Sequence, residues 1–330
     1  PPENLCSKHL WDNNFPTWET DGVVNVKEAP YNAKGDSYAD DTEALQKAID
    51  EHEIVFLPKG YYRITKTLKL KPNTKLIGIA HYLSVIIVRD PEGYFGDSNN
   101  PQPMVETAND KSAETVIAFC RISPPEEVSN SFTGEYMPVY SLKWQCGRKS
   151  IFRSVLLEPI KIYGHILSKN HKQSVIKYPM VWITGNGGGK WYNYNDTHAF
   201  MKETNDARLI LIDSTTEPLY FYIFESLSFS KEGARAEIRN SKNISIFGVK
   251  IECNSTFLYV HNSDNIRIFG HGGIGTGAQG GSIYLFENVT NFLLTNVSDQ
   301  IYIGTDIAIK SWAMGLSFLN YRTFFPIIEI

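Results

Sequence analysis

The sequence predicts an all-β solenoid, in which short strands wind into coils that stack on one another. Two observations predict it. The first is an internal repeat toward the C-terminal end: AEIRNSKNISIFG at 236–248, LYVHNSDNIRIFG at 258–270 and YLFENVTNFLL at 284–294. From Asn243 to Asn265 is 22 residues and from Asn265 to Asn291 is 26, a period in the range of stacked structural repeats. Each unit is a short strand, an Asn-bounded turn and a second strand. Such a unit cannot bury an apolar face alone, and stacking solves that problem.

The second observation is alternation within the repeat. Ala236 and Ile238, Leu258 and Val260, and Tyr284 and Phe286 occupy one parity and form the inward set. The other parity holds Glu237 and Arg239, Tyr259 and His261, and Leu285 and Glu287. With neighbouring strands ~4.8 Å apart, these side chains form a continuous outward strip within reach of one extended ligand.

At 330 residues, 42% hydrophobic and 21% charged, the chain has the composition of a globular protein and room for about ten coils. The net charge of −4 argues against a nucleic-acid surface, which needs a basic face. No window approaches the ~20 apolar residues of a membrane helix, so no membrane insertion is expected. Cys6, Cys120, Cys146 and Cys253 are widely spaced, which disfavours zinc. One disulfide or four buried thiols remain open, and no metal or cofactor is expected. The opening Pro1-Pro2-Glu3-Asn4 reads as a processed or trimmed start. The five sequons at Asn195, Asn243, Asn254, Asn288 and Asn296 read as by-products of Asn-rich turns.

Residues 1–30 are turn-rich, with Trp11, Phe15 and Trp18 as anchors onto the rest of the chain. A helix is expected after Asp40-Asp41, either of which can cap it, with Glu43 in the first turn and Leu45, Ala48 and Ile49 as the apolar stripe. Strands are expected at 55–57, 61–70 and 75–79. Asp36, Asp40 and Asp41 read as turn and cap residues. Text rich in Pro, Asp and Ser at about 90–150 reads as loop excursions.

The stretch NAKGDSYADDTEALQKAI, followed by VFLPKGYYRI, resembles the N-terminal signature of the pectate-lyase-like superfamily, in the branch shared by glycoside hydrolase family 55 and family-28-related proteins. The resemblance covers residues 24–79. It implies a single-stranded right-handed parallel β-helix with a short N-terminal capping α-helix, spanning 31–330 behind an irregular 1–30 segment. Family 55 enzymes resemble two such helices in tandem. One signature is present here, so the chain reads as a single β-helix or as one half of a larger protein.

Glu237 and Glu287 are the candidate catalytic carboxylates, with His261 and Arg239 beside them, because glycoside hydrolysis runs on two carboxyl groups ~5 to 9.5 Å apart. Arg239 is expected to keep Glu237 ionised, and apolar neighbours to raise Glu287. Glu225 and Glu232 are fallback acids. Tyr259 completes the strip as a sugar contact. Gly185–Lys190 lacks the spacing of a phosphate loop, and Lys190, Trp191 and Tyr192 read as a loop wall against sugar. Gly270-His271-Gly272 resembles the Gly-His-Gly of family 28 polygalacturonases, which nominates His271 for substrate binding. The companion aspartates of that family do not match, so a Gly-rich turn is the competing reading. No compact calcium loop supports a lyase. The function expected is a secreted, extracellular or periplasmic glycoside hydrolase acting on a polysaccharide, with a β-glucan implied by the resemblance. A non-catalytic glycan-binding or tailspike-like β-helix and a polysaccharide lyase are the alternatives.

Overall fold

The computed structural model describes residues 15–160, 170–197, 202–203, 207–227, 234–253, 256–275, 283–297 and 328–329. Over these residues the chain is a right-handed parallel β-helix. The short pair Glu127–Ser129 and His171–Gln173 is antiparallel. Each coil presents three faces. The first stacks Val139–Trp144, Val181–Thr184, Ile210–Asp213, Ala236–Arg239, the start of Leu258–Gly275 and Tyr284–Thr290. The second runs through Ile54–Leu57, Lys75–Gly78, Val116–Ala118 and Ile151–Arg153 into the first halves of Gly189–Thr197, Leu219–Leu227 and Lys242–Cys253. The third begins with Asp36–Asp40, Gly60–Arg63, Ser84–Ile87 and Arg121–Ser123, then continues through Leu156 and Asn195.

The inward set of the repeat is buried as its parity requires: Ala236, Ile238, Leu258, Val260, Tyr284 and Phe286 are at most 2% exposed. At mid-length the core becomes aromatic. Trp191 stacks on Phe152 at 4.0 Å between ring centres, and the Trp144 indole N–H donates to the Gly188 carbonyl at 2.8 Å. The indole thereby satisfies its one polar group while burying a large apolar surface.

Helix α1, Thr42–Glu51, closes the N-terminal end of the core with Leu45, Ala48 and Ile49. Asp40, rather than Asp41, serves its first turn, accepting from the Thr42 N–H at 3.0 Å and the Thr65 hydroxyl at 2.6 Å. The Asp41 carboxylate turns back to the backbone N–H groups of Lys34 and Gly35 at 2.6 and 2.9 Å, tying the preceding loop to the cap.

Two of the corners between faces share a left-handed backbone conformation. Between the first and second faces, Asn240, Asn262 and Asn288 stack, as do Asn243, Asn265 and Asn291, all with φ between 49° and 63°. Asn tolerates this left-handed conformation, and its amide adds a ladder: Asn265 Nδ2 donates to Asn243 at 2.8 Å and Asn288 Nδ2 to Asn262 at 2.7 Å. Between the second and third faces, the bend falls on Phe119, Ser154, Asn193, Ile223, Gly248, Gly270 and Asn296, again all at positive φ. At Gly78 a Cβ would lie 2.3 Å from the Phe119 carbonyl, so the coil above can approach only a glycine.

Three sequence expectations change in this frame. Residues 190–196 belong to the strand Gly189–Thr197 and not to a loop. The stretch 90–150 carries the strands Gln102–Thr107, Val116–Ala118, Arg121–Ser123 and Val139–Trp144, so coils run through it and its polar text falls between them. Gly270-His271-Gly272 lies within Leu258–Gly275, bent at Gly270. Cys120 and Cys146 are buried free thiols. Glu232, Asn254, Cys6 and most of the apolar C-terminal run lie outside the described residues.

Candidate functional site

The outward strip exists on the first face as a register: Glu237 pairs with Tyr259 and then Leu285, while Arg239 pairs with His261 and then Glu287. Parity put these residues on the surface, and neighbouring coils then covered part of them. Arg208 Nε reaches a Glu237 oxygen at 2.7 Å, His261 Nε2 lies 3.0 Å from the other, and Arg239 stands at 3.4 Å. Arg239 also binds Asp213 at 2.9 Å. Burial works to raise the Glu237 carboxyl, but hydrogen bonds from His261 and Arg208, with the charges of Arg208 and Arg239, outweigh it and hold it below its ordinary value. Asp213 is held low in the same way: burial opposes, and the bond from Arg239 prevails.

Glu287 is exposed and accepts the Tyr259 hydroxyl, whose own pKa that bond and burial push up to about 12. The Tyr259 ring stacks on His261 at 4.5 Å and 16°, so one of its faces is already occupied. Glu237 and Glu287 stand two rungs apart and two residues offset, which places their Cα atoms roughly 12 Å apart. The strip is therefore an ion-pair lattice, with Glu237 committed to three cationic or imidazole partners. Arg208 and Asp213 complete it and were not singled out in the sequence. Their signal was the register of the preceding coil, one rung before the recognisable repeat.

The aromatic wall expected at 190–192 divides between core and surface. Trp191 is fully buried, because its parity points it inward against Phe152. Lys190 is half-buried on the outer face of the second sheet. Tyr192 lies outward but is only 7% exposed, stacked on Tyr222 at 4.9 Å, and the stack continues to Phe247 and Phe269. His271 is inward and 4% exposed, its Nδ1 2.7 Å from the Tyr284 hydroxyl. Trp191 and His271 thus belong to packing, and the glycines around His271 serve the bend.

A cleft of about 190 Å³ opens where the second face bends into the third. His81 and Tyr82, Ser154 to Leu156, Glu158, Asn193 and Asn195 line it. Two amides of the 190–196 stretch therefore reach the cleft, while its aromatics do not. Glu158 sits 3.5 Å from Arg121. Burial pushes the Glu158 carboxyl above its ordinary value, with Arg121 acting against the rise. Arg121 is itself fixed, donating to Ser123 at 2.6 Å and to the Pro159 carbonyl at 3.0 Å. Burial, then the Arg121 charge, hold His81 below the usual imidazole value. Asn195 donates to Glu225 at 2.6 Å, and Lys250 lies 3.4 Å from that carboxylate. The cleft therefore offers a carboxyl raised by burial, an imidazole held below its usual value, two amides and, one hydrogen bond behind Asn195, a second carboxylate. Among the described residues, no group of three or more His, Cys, Asp or Glu converges as a metal site would.

Residues 23–124 match the family model described as rhamnogalacturonase A/epimerase, pectate lyase-like. The N-terminal coils thus resemble those of pectate-lyase-like proteins. This is the segment in which the sequence signature lies. Over 96 residues the chain is 28% identical to a glucan 1,3-beta-glucosidase of Cochliobolus carbonum, covering 28% of this chain and 11% of that protein. Over 87 residues it is 37% identical to the pre-neck appendage protein of Bacillus phage phi29, covering 26% and 10%. The matched segments thus span about a tenth of these relatives. Among solved structures, the enzymatically active domain of tailspike protein 2 of bacteriophage CBA120 superposes with a TM-score of 0.53 at 10% identity, covering 83% of this chain and 43% of that one. That likeness concerns the parallel β-helix fold alone. No helix among the described residues is long and apolar enough to cross a membrane.

Proposed function

We propose that this chain is a secreted, polysaccharide-active β-helix of hydrolytic type, forming one domain over 31–330, with its chemistry in the cleft between the second and third faces. The observation that carries the reading is Glu158: a cleft carboxyl whose burial favours the protonated form, as a general acid requires. Glu158 gives its proton to the glycosidic oxygen as the bond to the sugar breaks. A water attacks the anomeric carbon and passes its proton to Glu225, the second carboxylate. Asn193, Asn195 and neutral His81 hydrogen-bond sugar hydroxyls. The outward strip of Glu237, Arg239, Tyr259, His261 and Glu287 is assigned to glycan contact. Glu237, held below its ordinary value by its partners, favours binding over proton donation. A β-1,3-glucan is the first substrate to test, in keeping with the glucanase among the relatives.

The experiment is a panel of polysaccharides scored for reducing ends and for the ultraviolet absorbance of unsaturated uronates, with Glu158→Gln and Glu225→Gln beside the parent. Each substitution is expected to lower turnover about 100-fold or more, with folding unchanged. Full activity in Glu158→Gln removes this assignment, and unsaturated products indicate a lyase. A non-catalytic glycan-binding role is the second reading, favoured by the phage appendage among the relatives and by the ion-paired strip. It predicts binding by the parent without turnover.

A further inference from the structure

We infer that the exposed tyrosines Tyr38, Tyr61 and Tyr82 form a sugar-stacking track that leads a polysaccharide chain from the N-terminal end of the third face into the cleft. This inference rests on the polysaccharide reading above and extends it to the binding of long chains. The three rings are 71%, 41% and 63% exposed, whereas other tyrosines of the same coils, such as Tyr62, are buried. They occupy successive rungs. Tyr38 lies in Asp36–Asp40, Tyr61 in Gly60–Arg63, and Tyr82 in the turn whose Leu83 carbonyl accepts the Gly60 N–H at 2.8 Å. Tyr61 stands in register with Asp36 below and Val85 above, and the same column continues through Arg121, Leu156, Asn195 and Glu225. Tyr82 is itself part of the cleft wall. From Tyr61 to Glu225 is five strand spacings, roughly 24 Å, a length suited to an oligosaccharide of several residues.

The chemistry of the rings fits that occupant. A phenol ring presents an electron-rich face to the axial C–H groups of a pyranose, with its hydroxyl at the wet edge. Tyr38 is braced for this role: the Arg89 guanidinium lies 4.6 Å from its ring centre, Arg89 donates to the Ser37 carbonyl at 3.3 Å, and Arg63 donates to the Tyr38 carbonyl at 3.2 Å. The aromatic ladder of the second face differs, because Tyr222 and Phe247 stack on both sides within it and their faces are spent.

The test is binding of soluble β-1,3-glucan, pectin and a size ladder of β-1,3-gluco-oligosaccharides to the Glu158→Gln protein, with and without Tyr38→Ala, Tyr61→Ala and Tyr82→Ala. Each tyrosine substitution is expected to weaken binding of the long chain about 5-fold. The loss is expected to shrink as the oligosaccharide shortens, with melting temperatures unchanged. Long-chain affinity equal to that of the unsubstituted protein overturns the track, as does a loss of the same size for short and long probes or the absence of binding to every probe. Tyrosine-dependent binding by a parent with no hydrolytic activity keeps the track and removes the hydrolase assignment alone.

Discussion

Glu237 and Glu158 show how the same side chain takes opposite roles from its surroundings. Three cationic or imidazole groups around Glu237 depress its pKa, so the side chain is a carboxylate at neutral pH. A group depressed in this way contributes stability above the ordinary glutamate value of 4.5, and the contribution is lost as the pH falls through the lower folded value. Glu237→Gln is therefore expected to be less stable than the parent at neutral pH and to show a shallower acid limb when melting temperature is followed against pH. Parallel acid limbs would remove the ion-pair account. Glu158 runs the other way. For Glu158 as the proposed general acid, its raised pKa is expected to shift the basic limb of an activity profile above the ordinary glutamate value, because turnover falls as its proton leaves. That limb is read from kcat/KM against pH, and a limb at the ordinary value detaches Glu158 from the acid role. Half of this contrast was legible in the sequence: Arg239, two residues along the strand, is expected to keep Glu237 ionised, whereas nothing in the text around Glu158 announces its burial. The contrast also depends on Arg208, Arg121 and the loops that bury them, each brought in from another coil.

At the scale of the element, the two corners differ in how they are written. The Asn corner announces itself, since Asn is the non-glycine residue best suited to a left-handed turn and it repeats at 240, 262 and 288 and again at 243, 265 and 291. Asn265→Ala removes the amide ladder and puts an Ala at positive φ, for an expected loss of about 2 kcal/mol in denaturant melts. Asn265→Gly loses the amide but not the turn, and about half that is expected. The second corner has the same backbone conformation spelled Phe119, Ser154, Asn193, Ile223, Gly248, Gly270 and Asn296, with no shared residue type to read. That corner also shapes the cleft, through Ser154 and Asn193, whereas the sequence reading of the 190–196 stretch fixes on its aromatics. Ile223 is the costly member of the column: a β-branched residue at φ 67° and 54% exposed. Ile223→Asn adopts the residue already used at 193 and 296 and is expected to stabilise the protein by about 1 kcal/mol. A drop in melting temperature would show that the exposed Ile side chain contributes contacts that outweigh its backbone cost.

Across the whole molecule, the described strands pair with the coils directly above and below them, so stability accumulates mainly along the axis as a chain of interfaces, with a few side chains reaching further, as Lys111 does to Glu217 at 3.0 Å. The architecture was legible from both ends, through the C-terminal repeat and the N-terminal signature. The middle was legible as separate strands but not as a repeat, because its coils differ in length and their core is aromatic rather than a repeated aliphatic pattern. Trp191 is the centre of that middle, packed against Phe152 at 4.0 Å, Trp144 at 5.1 Å and Phe221 at 5.4 Å. Trp191→Ala opens a cavity that costs about 3 to 5 kcal/mol, and in a linear array the loss falls on one interface rather than on a shared core. The coils before Ile151–Arg153 and those after Leu219–Leu227 keep their own contacts. Unfolding of the variant is therefore expected to split into two denaturant transitions, with amide exchange in Lys75–Gly78 and in Lys242–Cys253 following different ones. A single coincident transition, shifted as a whole, would mean that the coils cooperate beyond their nearest neighbours and that the aromatic middle does not divide the molecule.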